Sequence, residues 1–150
     1  MTNDKTISTL NNLIATVKDG QNGFQTAAEG VTDPQVKATF LEYSSQRAQM
    51  ARELQDEVRG LGGDPEKSGS VAASMHRGWI NIKSTVTGKD EHAIIAEAER
   101  GEDVAKSTYE SALKEMLPAS AQTLVQQQMT KVRQAHDDVR GLRDREKPMR

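Results

Sequence analysis

Four carboxylates crowd around one glycine in the stretch AEAERGEDVA, residues 96–105: Glu97, Glu99, Glu102 and Asp103 flank Gly101. Carboxylates at this density can hold a metal ion, move a proton, or simply solvate a helix surface. Residues three apart share one face of an α-helix. Glu99 and Glu102 can therefore serve one site, while Glu97 and Asp103 are assigned to the solvated side. The chain has only three histidines, His76, His92 and His136, and His136 is the one placed to join Glu99 and Glu102. An imidazole with two carboxylates suits a single iron, manganese or zinc ion. His92 falls near a helix start and is expected in solvent. His76, Arg77 and Trp79 form an HRGW stretch whose tryptophan is expected to staple its segment onto the rest of the fold. No Ser-His-Asp arrangement can be argued from spacing. GLGGDP is not a phosphate loop either, because it follows a helix and precedes no strand.

Composition narrows the remaining chemistry. There is no cysteine, which excludes thiolate catalysis, disulfides, zinc ribbons and iron–sulfur clusters. Charged residues make up 28% of the 150, yet the net charge is only −2. No nucleic-acid partner is expected, since that needs a basic face. No apolar stretch approaches the roughly 20 residues of a membrane span, and MTNDKTISTL lacks the basic and apolar regions of a signal peptide. A single cytoplasmic domain over residues 1–145 is expected, with 146–150 a charged tail that frays.

The elements that must position these residues are helices. Ile7, Leu10, Ile14, Val17, Gln21, Phe24, Ala28 and Val31 recur in steps of three and four, the seam of an amphipathic helix over about 4–31. Asp33 and Pro34 start the next as N-cap and first helical residue. That second helix carries Val36, Phe40, Tyr43, Arg47, Met50, Leu54, Val58 and Leu61, and GLGGDP ends it with glycines suited to a left-handed cap. A shorter helix is expected from the SGS at 68–70 to about Val86. A fourth runs over about 90–116 with Ile95, Ala98, Glu102, Ala105, Tyr109, Ala112 and Met116 on its seam. The last starts at Pro118 or Ser120, with Val125, Gln128, Val132, Ala135, Val139 and Leu142 inward. Met50, Met75, Met116 and Met129 read as core filler.

Four of these segments run about 27 residues, or roughly 40 Å. Fusing the short one to its successor would give a rod of roughly 73 Å, so the break at Thr87-Gly88 is required. The short helix and its loops can then carry the chain from one end of the molecule to the other. That predicts an all-α fold, two helical hairpins joined by one long crossover, the connectivity of ferritin-like bundles. A five-helix up-and-down bundle is the rival.

Each long seam is broken near its middle by a polar residue: Gln21, Arg47, Glu102, Gln128. Folding each hairpin about its turn brings these to similar depth. With Met50 they make a buried polar layer, in which an Arg47–Glu102 pair is the least costly way to bury Glu102. The competing arrangement is a metal or substrate pocket between the helices. Gly20, Gly23 and Gly30 on the first helix permit close helix approach or a kink. The seam could also serve a second copy of the chain as a homodimer face.

The stretches SQRAQMARELQDEV, HRGWINIKSTVTG, IIAEAERGEDVAKSTYESAL and RQAHDDVRGLRD carry a resemblance. Over about residues 5 to 144 the chain is similar to an uncharacterised bacterial four-helix-bundle family, a domain of unknown function within the ferritin-like superfamily. The resemblance implies the bundle with a crossover. It implies little about activity. Di-iron members of that superfamily use a Glu from each of two helices and a Glu-x-x-His pair from each of the other two. Here Ala73, Lys89 and Arg133 stand three before the histidines, Gln21 replaces a Glu, and Arg47 is a cation that repels metal. The expectation is a non-enzymatic or relict bundle without cofactor, in an interaction or stress-related role. The alternative is a metal-binding or redox protein with a reduced site.

Overall fold

The computed structural model describes residues 3–66, 79–88 and 90–146. Among them the fold is all-α: α1 (Asn3–Gly30), α2 (Pro34–Gly60), α3 (Ile82–Thr87), α4 (Glu91–Leu113) and α5 (Ala119–Glu146). Local chemistry sets the boundaries. Asp33 accepts hydrogen bonds from the backbone N–H groups of Gln35 (2.9 Å) and Val36 (3.3 Å), with Pro34 at the first helical position. Gly62, at φ 82°, turns the chain out of α2, and Gly63 N–H closes the end on the Val58 carbonyl at 3.0 Å. Asp90 caps α4 through Ala93 N–H.

Side-chain contacts fix the directions of the helices. Ser44 Oγ donates to the Gln21 carbonyl at 2.8 Å, across an antiparallel α1/α2 hairpin. Thr9 Oγ1 donates to Glu115 near one end of α1, and Thr32, beyond its other end, donates to Glu91. Hence α1 and α4 are antiparallel. Tyr43 with Asp138, the Met50 carbonyl with Gln128, and Glu57 with Ser120 make α2 and α5 antiparallel too. It follows that α2 and α4 run parallel. The chain therefore leaves α2 where Asn11 holds Asp64 and Glu66, and enters α4 at the opposite end, where Glu91 holds the α1–α2 turn.

Apolar side chains form two clusters. One gathers Leu10, Leu13, Ile14, Val17, Met50, Leu54, Val58, Tyr109, Val125, Met129 and Val132. The other gathers Phe24, Val31, Val36, Phe40, Tyr43, Ile94, Ile95, Ala135, Val139 and Leu142, with Trp79 packed against it. Between Val17 and Phe24, between Tyr43 and Met50, and between Ala98 and Ala105, no buried apolar side chain joins either cluster. Arg47 and Glu102 fill that interval.

Two expectations need correction, and a third falls partly beyond the described residues. α4 ends at Leu113, not near 116, because Pro118 pushes the preceding residue toward extended backbone and the chain unwinds ahead of it. Met116 is consequently 83% exposed and fills no core, whereas Met50 and Met129 are buried. The short helix is described only over Ile82–Thr87; its expected start at 68–70, with Met75, His76 and Arg77, lies outside the described residues.

Candidate functional site

The centre of the molecule is built on missing side chains as much as on charged ones. Arg47 projects from α2 toward α1, and at that level α1 presents Gly20. A β-carbon there would stand 2.9 Å from Arg47 Nη1. Glycine therefore makes room for the guanidinium, which reaches across to α4. There Nη1 and Nη2 donate to the two carboxylate oxygens of Glu102 at 2.9 and 2.5 Å, with both side chains 0% exposed. The Phe24 ring lies 5.5 Å from the guanidinium carbon and adds a cation–π contact. Such a bidentate pair matches planar donors to planar acceptors and is the strongest form a buried ion pair takes.

One turn away a second polar group completes the layer. Gln128 on α5 donates from Nε2 to the Met50 carbonyl (3.1 Å) and Glu53 Oε1 (3.0 Å), and its Oε1 accepts from the Tyr109 hydroxyl at 2.7 Å. Burial holds the Tyr109 phenol well above its ordinary pKa, so it remains a donor. Gln21, in contrast, is half-buried, and its carbonyl rather than its side chain meets α2.

The carboxylates around Gly101 fall into four different settings. Glu102 holds Arg47. Glu99 accepts from Arg143 Nη1 at 2.7 Å. Asp103, mostly exposed, lies with Oδ1 2.6 Å from His136 Nε2, while His136 Nδ1 faces Asp137 at 3.4 Å. Asp103 thus holds an imidazole where solvent alone was expected. Glu97 departs furthest from its assigned solvated side: its side chain is fully buried, paired with Arg100 and accepting from the Asn81 backbone N–H at 2.8 Å. A clue stood four residues on, in Gly101, since a glycine on the same helix face marks where another segment lies close. That segment is Trp79, whose indole fills the space a β-carbon at Gly101 or Gly23 would take. His92 is half-buried, not solvated.

Glu99, Glu102 and His136 are therefore not brought together. Each is held by a different partner, and among the described residues no group of three or more His, Asp and Glu side chains stands ready to hold a metal ion. Both carboxylate oxygens of Glu102 face the fixed cation of Arg47. Two surface grooves, of about 660 Å³ beside Gly30, Lys37 and Val86 and about 340 Å³ beside Thr39, Asp138 and Arg145, lie away from this pair.

Helical hairpins with this polar centre define the class as an all-α bundle, and the family follows from the sequence match. Residues 5–115 match the family described as "Domain of unknown function (DUF2383)", and the chain belongs to it. The match ends ahead of α5, short of the 5–144 stretch on which the resemblance was drawn. No curated protein matches the chain. Among the described residues no helix is long and apolar enough to cross a membrane.

Proposed function

We propose that this protein is a ferritin-like four-helix bundle, with α3 in its long crossover, that works without a metal centre. It is a non-enzymatic or relict member of that architecture, bacterial and cytoplasmic, serving an interaction or stress-related role and able to pair with a second copy through a helical face. One observation carries the proposal: the carboxylate best placed to be a central ligand, Glu102, has both oxygens committed to Arg47 in the buried centre. Di-iron bundles spend buried carboxylates on metal; here the positive charge is covalently part of the chain. The reverse alignment of α2 and α5, and the parallel run of α2 and α4, support the crossover topology.

Metal analysis of protein purified without chelator, after incubation with iron, manganese or zinc, tests the proposal. Substoichiometric metal is expected throughout. Stoichiometric metal that disappears in Glu102→Ala and His136→Ala would overturn it in favour of a redox or metal-binding bundle.

A further inference from the structure

Among the described residues, the segment leading into α4 is joined to the long helices through Trp79, Ile82 and Val86 and through the Asn81 N–H. Trp79 lays its indole between Gly23 of α1 and Gly101 of α4, so close that a β-carbon on either would overlap the ring. The indole meets the Phe24 ring edge-on at 5.0 Å. Two residues later the Asn81 N–H is held by buried Glu97. α3 itself has six residues, buries only Ile82, lays the half-buried Val86 against Gly30, and lacks a side-chain N-cap, while Ile80 is 73% exposed. A helix this short has no stability of its own.

We infer that residues 79–88 form a strap that opens as a separate unit while the four long helices stay packed, with Trp79 as its bolt. Segments with few buried contacts open locally, well below the free energy of global unfolding, and here the closest contact is one ring, with Ile82 and Val86 beside it. Where the ring comes closest to α1 and α4, each helix presents a glycine instead of a side chain. Glycine is, after proline, the least favourable residue in a helix interior, yet it occurs on both helices where the indole lies. Withdrawal of Trp79 would bare three groups together: the glycine faces, the Glu97 carboxylate, and Phe24, whose ring lies against both the indole and the Arg47 guanidinium. Gly101 also directly precedes Glu102. The strap thus covers the wall between α1 and α4 beside the charged centre. This holds whether or not that centre binds metal.

Trp79 is the chain's only tryptophan, so its fluorescence reads the strap while far-UV circular dichroism reads the long helices. In a urea titration of the full chain, the Trp79 emission should change at lower urea than the helical signal. Glu97→Gln, which weakens the second anchor, should raise acrylamide quenching of Trp79 several-fold with helix content kept. Gly101→Ala should expel the ring, red-shifting the emission of a protein that still unfolds cooperatively by dichroism. Coincident fluorescence and dichroism transitions in the unmodified chain, equal in midpoint and slope, would overturn the inference whatever the variants do. A folded Gly101→Ala protein with its tryptophan still shielded would overturn it as well. Should Gly101→Ala fail to fold, the two-probe titration of the unmodified chain decides alone.

Discussion

On the side of the Arg47–Glu102 layer toward the N-terminus of α1, the core is aliphatic, apart from Tyr109 at its edge. On the other side it is aromatic, with Phe24 against Phe40 at 5.6 Å and against Tyr43 at 5.5 Å, and Trp79 beside them. Leucine, valine and alanine on four seams interdigitate closely, and the groove at that end, between Thr9 and Glu115, holds only about 110 Å³. Aromatic rings bury more area apiece but pack at fixed angles, and the larger grooves open beside the aromatic half. Both halves are packed, but the aromatic one is where the strap docks and where these larger grooves open. The charged layer lets the two differ, because neither has to fit the other directly.

The largest effect tests that layer. Arg47→Ala or Glu102→Ala should each cost about 3–5 kcal/mol, since either leaves a buried charge alone. Replacing both, as Arg47→Met with Glu102→Leu, should cost far less, and urea unfolding of the four proteins closes the cycle. Additive losses would mean that the halves are joined by something other than the pair.

An intermediate effect separates glycines by what faces them. Gly20→Ala pushes a methyl toward Arg47 and should destabilise by about 1–3 kcal/mol, as overpacking does. Gly141, on the outer face of α5, has nothing within 4 Å of a β-carbon. Gly141→Ala should stabilise by about 0.5–1 kcal/mol. Thermal unfolding of both variants checks the contrast in sign.

The smallest effect lies at the aromatic end, where Glu91 accepts from Thr32 N–H, Thr32 Oγ1 and Asp33 N–H. Burial, the largest single influence, pushes its pKa up, but the three hydrogen bonds together outweigh it and leave it below its ordinary value. The folded state then binds fewer protons than the unfolded chain in that range. The contribution is full above the unfolded pKa, near 4.5, and is lost as pH falls through the lower folded one. Glu91→Gln should cost roughly 0.5–1 kcal/mol at neutral pH, screened by solvent, and nothing in acid. An equal difference at both pH values would show that the charge plays no part.

Much of the fold was legible because helical periodicity is written along one chain. Val125, Val132, Ala135, Val139 and Leu142 are buried at the spacing that marks them, and Asp33-Pro34 signals a start that local chemistry alone enforces. What failed depended on neighbours. Glu97 looks like a surface residue until the Asn81 N–H is brought to it from another segment, and nothing in the spacing along α4 encodes that approach. Gly23 and Gly101 are 78 positions apart, so their shared contact with one indole is invisible before the helices are docked. Met116 had the right period but the wrong context, since Pro118 ends the helix that would have buried it.

Arg47 belongs to the hairpin α1–α2 and Glu102 to the hairpin α4–α5, and this division has a consequence for assembly. Either hairpin alone could collapse its apolar seam, but it would carry one full charge into that face with nothing to answer it. Docking supplies the counter-charge and the missing half of the core in the same step. The two halves of the chain are thereby made mutually conditional: the molecule gains its native state as a pair of hairpins, not as one hairpin followed by another.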